Sequence, residues 1–510
     1  MSAQSLAVAP RAGRVRLGWA IALAAAFIPV AVRMAYYPHY PGSDDAFIHA
    51  SIIQNIRSGA GWGINPGENV FLTTSPLFTL AFLGLSHLVP NVISAGLVAS
   101  TIAVLVGGCG VYVVARQLRI DATLAVAATL LAATNLHLWR WGGTFMEVSF
   151  AYAAIIWTVA LYLRLIAEPE APRTVLFGWL GAVVGLTVLL RPESGLLGIA
   201  FFADHLIGRR RWIVRRFAAA ALGLAVSIGA YAVWATGVFG SWLPTTLAAK
   251  TTSSLILVNP EVARQAVIVF GTGCLGSGLA LLGAAAVLAT GAGRAAALQA
   301  LRPGAALIAV PLLVVAFYYL KAEFIQSAAR YFLPFMATVP VFAALAVAAS
   351  GSRLARKALW IGVGVQGLLA LVLNHAMTAP VLARMWDQYV TTMSTAAAEL
   401  DRRCMTGDRA LVVEDIGVLS WRHDKTCYIL DAGALATPDF RGKPLSEMVA
   451  AGRPRFVVET LGKPEAPLTF PGRDAQIVWE KAYHSHSINQ PDAIFAARLY
   501  ELRPHGGGND

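Results

Sequence analysis

The sequence predicts an α-helical polytopic membrane protein that ends in a soluble α/β domain. Three observations carry that expectation. Hydrophobic residues make up 57% of the 510-residue chain and charged residues only 13%, with mean hydropathy +0.61. Apolar runs recur at close to the roughly 20 residues that a spanning helix needs. After residue 375 the composition becomes mixed, and short strand-like runs replace the long apolar ones.

The runs expected to span are 17–35, 92–115, 122–138, 147–166, 174–190, 194–207, 217–236, 263–290, 304–320, 331–349 and 358–375. Arg11, Arg14 and Arg16 precede the first run and place the N-terminus in the cytoplasm. The small residues Ala24, Ala25 and Ala26 lie inside that run rather than after it, so it reads as an uncleaved anchor. Segment 74–89 decides the topology. As a full crossing it would carry Arg209, Arg210, Arg211, Arg215 and Arg216 outward. As a surface or re-entrant helix it leaves every basic cluster on one side: Arg116/Arg119, Arg164/Arg173, Arg209 to Arg216, Arg294/Arg302 and Arg353/Arg356/Lys357. The second arrangement is expected, with about eleven spans, the N-terminus inside a bacterial plasma membrane and the C-terminal part outside. The net charge of +12 then belongs to these loops and does not point to nucleic acid.

Two domains follow: 1–375 in the membrane, including an outer loop 36–91 with juxtamembrane helices, and an extracytoplasmic α/β domain 376–510. Residues 381–402 read as helix. Strands are expected at Ala410–Val413, Cys427–Leu430, Phe456–Val458, Gln476–Trp479 and Ile494–Tyr500. Cys109 and Cys274 fall in spans and read as apolar fillers. Cys404 and Cys427 flank the first strand, where an oxidising exterior permits a disulfide.

The outer loop opens with Ser43-Asp44-Asp45. Ser43 reads as an N-cap, with Asp44 and Asp45 in the first turn of a helix on the membrane surface. The plain reading is that acids there complement the helix dipole. Acids beside lipid are costly, however, and are functional candidates by default. Ile48, Ile52 and Ile56 form one stripe of this helix, and Asp45 and His49, four apart, share another face. Two adjacent carboxylates titrate as a coupled pair and can accept a proton or hold a cation. The same outer face is expected to carry Glu147, Arg191-Pro192-Glu193, Lys250, Lys321, Glu323 and Arg330-Tyr331. Simpler readings exist for these. Glu147 could be a dipole partner, Arg191 and Glu193 could pair with each other, and Lys321 could snorkel to headgroups. Together they put acids from one loop and cations from several others on one surface. A hydroxyl nucleophile needs a base, and a departing phosphate needs cations. The residues alone thus indicate an outer-face site for an anionic, lipid-like ligand. The ten histidines show no metal-ligand spacing.

Several motifs, in order, carry a resemblance. They are Gly42-Ser43-Asp44-Asp45-Ala46-Phe47-Ile48, Asn55 to Gly61, Asn65-Pro66-Gly67-Glu68 and Thr74-Ser75-Pro76-Leu77, then Gly143-Thr144-Phe145-Met146-Glu147 and Leu190-Arg191-Pro192-Glu193. Gly240-Ser241-Trp242-Leu243-Pro244-Thr245-Thr246 through Lys250, Arg330-Tyr331-Phe332-Leu333-Pro334, Asp415-Ile416-Gly417-Val418-Leu419 and Leu430-Asp431-Ala432-Gly433 complete the series. This order resembles the GT-C glycosyltransferases, most closely the group of the mycobacterial terminal arabinofuranosyltransferase. Thr245 stands where that group usually has Asn, and the Glu147 element also departs from its pattern.

The resemblance implies a GT-C fold and a polyprenyl-phosphate sugar donor. It implies transfer to a cell-envelope glycan, lipid or protein acceptor with inversion at the anomeric carbon, and arabinofuranose is the first sugar expected. Asp44 or Asp45 would be the base. Lys250, Arg330, Arg191 and Lys321 would hold the donor phosphate, and His49, Glu147, Glu193 and Tyr331 would contact substrate. A divalent metal is left open, with Asp44 and Asp45 as its ligands if one is used. Two other classes compete. A lipid-linked sugar transporter or flippase often shows inverted repeats and helices broken at the midplane, neither of which is visible here. A non-catalytic glycan-binding scaffold would tolerate Asp44→Asn and Asp45→Asn.

Overall fold

A computed structural model describes residues 12–89, 91–167, 174–207, 213–246, 258–290, 294–321, 329–470, 473–485 and 492–504. Among these, seven helices are long and apolar enough to cross a bilayer. An eighth span results if Pro260–Gly273 and Leu275–Ala289, bent by 84°, are taken together. Ala122–Ala133, Thr174–Leu190 and Leu196–Ile207 fill the remaining expected positions, with 12, 17 and 12 residues. The chain is a multi-pass helical membrane protein with a C-terminal sheet domain.

Two expected spans are not single rods. The run 122–138 ends as a helix at Ala133, and a separate helix runs Leu136–Trp141. Asn135 is the cause, because its side chain accepts from the backbone N–H of His137 and Leu138 and so starts a new helix. The run 263–290 bends where Gly273 meets Cys274. Segment 74–89 forms the helix Pro76–Ser86, whose 11 residues rise about 16 Å. That is too short for the ~30 Å hydrocarbon core. Its Phe78 and Phe82 pack against Phe145 and Phe150 instead. The tightest helix pair is Thr174–Leu190 with Ile213–Phe239. A Cβ on Gly181 would lie 1.8 Å from Ala220 O, so these backbones approach because no side chain intervenes.

The last spanning helix does not end at the membrane part. It runs Arg353–Arg403 for 51 residues, with π-helical turns at Asn374–Thr378 and Met385–Val390. A division at 375/376 therefore falls within a continuous helix rather than in a linker. The sheet follows. Its strands are β1 (Arg409–Val413), β2 (Tyr428–Asp431), β3 (Phe456–Gly462), β4 (Arg473–His484) and β5 (Ile494–Pro504), in the order β2-β1-β3-β5-β4. β1 pairs parallel with β2 and β3, and β5 pairs antiparallel with β3 and β4. Cys404 and Cys427 are joined as a disulfide, Cα atoms 5.8 Å apart, which ties the end of the long helix to the start of β2.

The stripe Ile48, Ile52 and Ile56 packs against the sheet domain, among Leu400, Ile416, Leu419 and Val458. The helix that opens the outer loop is therefore clasped by the C-terminal domain on that face rather than laid on lipid.

Candidate functional site

The helix that carries the two acids runs Asp45–Arg57. It begins one residue later than expected, and Ser43 does not cap it. The Ser43 hydroxyl lies 3.9 Å from Met146 Sδ, and the first turn closes through backbone: Ala46 N donates to Ser43 O at 3.0 Å and Phe47 N to Asp44 O at 2.9 Å.

The two carboxylates then point to different partners. Asp44 is buried and accepts three hydrogen bonds, from Gly417 N at 2.5 Å, Val418 N at 2.9 Å and Tyr389 Oη at 2.8 Å. Gly417 and Val418 open the short helix Gly417–Arg422, so Asp44 satisfies N–H groups of a helix 373 residues away in sequence. Gly417 permits the approach, since a Cβ there would sit 2.1 Å from Asp44 O. Burial pushes the Asp44 carboxyl up to about 6, against the pull of those three bonds. The Tyr389 hydroxyl also lies 3.3 Å from Asp415 Oδ2. Burial, then the charges of Asp44 and Asp45, push the Asp415 carboxyl well above the usual range.

Asp45 turns the other way, into a narrow cavity. His49, Glu147, Arg191, Arg330, Tyr331 and Thr246 share its walls. The Asp45 side chain is 37% exposed and pairs with Arg330 Nη1 at 2.5 Å. Arg330 itself is 7% exposed, and its Nη2 donates to Tyr331 Oη at 3.0 Å. Arg191 is buried beneath. It pairs with Glu147 at 2.8 Å and Glu193 at 3.4 Å, and donates to Arg330 O at 2.9 Å. Both guanidiniums flank the Tyr331 ring, at 4.8 Å and 5.0 Å from its centroid. Arg191 and Arg330 each keep a buried Nε with no hydrogen-bond partner among the described residues. Buried donors of that kind call for an explanation, such as an anion that takes them.

Burial would raise Glu147, but the charges of Arg191, His49 and Arg330 together hold it below its usual value. Burial keeps His49 below its ordinary value, and its Nδ1 lies 2.9 Å from Thr79 Oγ1. Burial pushes Glu193 up, beyond what Arg191 offsets.

The structure thus gathers Asp45, His49, Glu147, Arg191, Arg330 and Tyr331 at one cavity. Glu193 stands behind it, on Arg191. Lys321 ends the helix Ala305–Lys321 and does not line the cavity. Lys250 and Glu323 lie outside the described residues. Thr246 is at the cavity wall, and Thr245 fastens its loop, its hydroxyl 2.9 Å from both Phe71 O and Leu435 O. A metal held between Asp44 and Asp45 does not fit, because three donors already occupy the Asp44 oxygens and Asp45 faces elsewhere.

Tyr389 and Asp415 join the site as residues that the sequence alone does not mark. Asp415 opens the motif Asp415-Ile416-Gly417-Val418-Leu419, whose pattern assigns it no role, and Tyr389 carries no local signal. A second cluster, Asp401, His423 and Asp424, gathers ligand atoms within 4.8 Å beside the disulfide. Both ring nitrogens of His423 are engaged there, by Asp401 and by the Cys427 backbone, which makes it a structural tie.

Residues 74–234 match the family described as dolichyl-phosphate-mannose-protein mannosyltransferase. No curated protein matches. Solved structures align over most of the chain, three of them as follows. ArnT from Cupriavidus metallidurans bound to undecaprenyl phosphate does so at 13% identity and TM-score 0.58, over 95% of this chain and 98% of that one. The fold is GT-C. The Archaeoglobus fulgidus oligosaccharyltransferase tethered with an acceptor peptide shares this GT-C arrangement at 12% identity and TM-score 0.52, over 87% and 69%. The arabinofuranosyltransferase AftD from Mycobacteria does so at 14% identity and TM-score 0.51. The match covers 96% of this chain but only 40% of that much longer one.

Proposed function

We propose that the protein is an inverting GT-C glycosyltransferase. It moves a sugar from a polyprenyl-phosphate donor to a hydroxyl of a cell-envelope acceptor, on the outer face of the bacterial plasma membrane. One observation carries the reading: a partly exposed carboxylate, Asp45, shares a cavity with two buried arginines that each retain an unpaired donor.

The free volume of this cavity is about 50 Å³, room for a water or two but not for a sugar ring. In this scheme Arg330, paired with Asp45, closes the site before the donor binds. The donor phosphate competes for Arg330 and draws it off, which releases the Asp45 carboxylate. The acceptor oxygen then attacks the anomeric carbon, and its proton passes to Asp45. The bond from that carbon to the phosphate oxygen breaks, and polyprenyl phosphate leaves with its charge held by Arg330 and steadied by Arg191. Asp44 takes no proton from substrate in this scheme. It fixes the start of the helix so that Asp45 faces the cavity.

The donor sugar is proposed as arabinofuranose, from the motif order and the likeness to AftD. The test incubates the purified protein with a panel of polyprenyl-phosphate sugars and an envelope glycan extract, and measures release of polyprenyl phosphate. Release with one sugar, abolished by Asp45→Asn, is the expected result. No release with any donor, while the protein stays folded, would sink the transferase reading.

A further inference from the structure

We propose that a second cavity, on the opposite face of the helix Asp45–Arg57, seats the phosphate headgroup of an anionic membrane lipid. The cavity measures about 710 Å³, far larger than the one at Asp45. Ala50 and Ile53 form one wall, while Asp45, Ile48 and His49 line the catalytic cavity from the other side of the same helix. Val92 and Ile93 form the floor, and they are the first residues of the spanning helix Val92–Gln117. The cavity thus meets the bilayer where a span begins.

Two cations sit at this cavity. Arg57 ends the base-bearing helix, and Arg422 ends the short helix whose N-terminus Asp44 holds. Both are exposed, and among the described residues neither has a carboxylate partner. The Arg422 guanidinium lies 3.9 Å from the centroid of the Trp421 ring, which also lines the cavity. Guanidiniums suit phosphate oxygens because they present donors in a planar fork. Tryptophan is favoured at the headgroup level of a membrane, where one part of the ring is wet and the other is not. A free phosphate ion would leave the part-exposed Val92 and Trp421 surface wet. A zwitterionic lipid would set its own cation against two arginines. An anionic lipid satisfies both walls.

Such a lipid bridges the same two helices that Asp44 joins, but from the other side. It would hold the C-terminal domain against the membrane and stiffen the helix that carries Asp45. The inference stands on this cavity alone and does not need the transferase reading.

The test places the full-length protein in phosphatidylcholine nanodiscs. Dibrominated phosphatidylglycerol or dibrominated phosphatidylcholine is titrated in, and quenching of tryptophan fluorescence is followed. The anionic lipid should quench more strongly, and the excess should vanish in Trp421→Phe. Apparent affinity for it should fall about fivefold in Arg57→Gln or Arg422→Gln, and about 25-fold in the double variant, at about 1 kcal/mol for each basic residue near the surface. Both arginines are exposed, so these variants should melt as the wild type does. Equal quenching by the two headgroups, or an unchanged preference in the double variant, would overturn the proposal. Displacement of the brominated anionic lipid by millimolar inorganic phosphate would also overturn it, since the site would then take a soluble ion.

Discussion

Asp44 and Asp45 are neighbours in sequence, yet they serve two different regions of the molecule. The Asp44 side is buried: three donors from the C-terminal domain and the long helix bond its oxygens. The Asp45 side is partly exposed at a cavity and is ion-paired with Arg330. A buried acid that accepts three hydrogen bonds from other elements is a fastener. A partly exposed acid at a cavity can exchange a proton with what enters it. A helix start supplies this division because consecutive residues in its first turn project about 100° apart.

The comparison breaks most sharply on paired substitutions. Asp45→Asn should lower turnover by ~10²–10⁴-fold, as loss of a positioned base does. Its melting temperature should stay near that of the wild type. Asp44→Asn should instead lower the melting temperature, because the amide turns an N–H toward Gly417 N or Val418 N. If the kinetic loss fell on Asp44→Asn alone, with its stability intact, the two roles would be exchanged.

A second prediction tests the floor of the Asp45 side. Arg191→Gln strips Glu147 of its partner while both are under 9% exposed. Breaking a buried pair from one side costs roughly 3–5 kcal/mol, read as a fall in melting temperature. Adding Glu147→Gln should recover part of it. No recovery would mean that Arg191 acts through Tyr331 and the Arg330 carbonyl rather than through Glu147.

The third prediction tests the Asp44 side from its partner. Gly417→Ala places a methyl group where Asp44 O now lies, so the two regions must part. The expected cost is about 1–3 kcal/mol of stability, together with slower turnover, although residue 417 does not line the cavity. Unchanged turnover at reduced stability would show that the clasp does not position Asp45.

Much of this was legible in the sequence. Apolar runs give helices because no other structure satisfies the backbone in lipid. The spacing of Asp45 and His49 put both on one face, and both line the cavity. Arg330-Tyr331 stood out as charge beside an apolar run. The rest depended on contacts that no local period records. Tyr389 reaches Asp44 across 345 residues, from within a π-helical turn. The division of labour between Asp44 and Asp45 follows from the sheet domain's approach, and a dipeptide carries no sign of that. Asn135 did carry a signal, as a strong cap inside an apolar run, but hydropathy outweighs a single polar residue in any window.

The smallest effect concerns pH, and it separates the two regions without a substrate. The Asp44 carboxyl is raised from an ordinary 3.8 to about 6. Between those values the folded protein keeps a proton that the unfolded chain has released. Stability must therefore fall as pH rises from about 4 to about 6, and this group adds no slope beyond. Asp415, also raised, contributes with the same sign. The melting temperature of the detergent-solubilised protein should decline across that window. Asp45→Asn, on the cavity side, should keep the decline. Asp44→Asn should flatten it, and Asp44→Asn with Asp415→Asn should flatten it further. A slope that survives in the double variant would place the titrating group outside the clasp and remove the physical basis for treating the two regions as distinct.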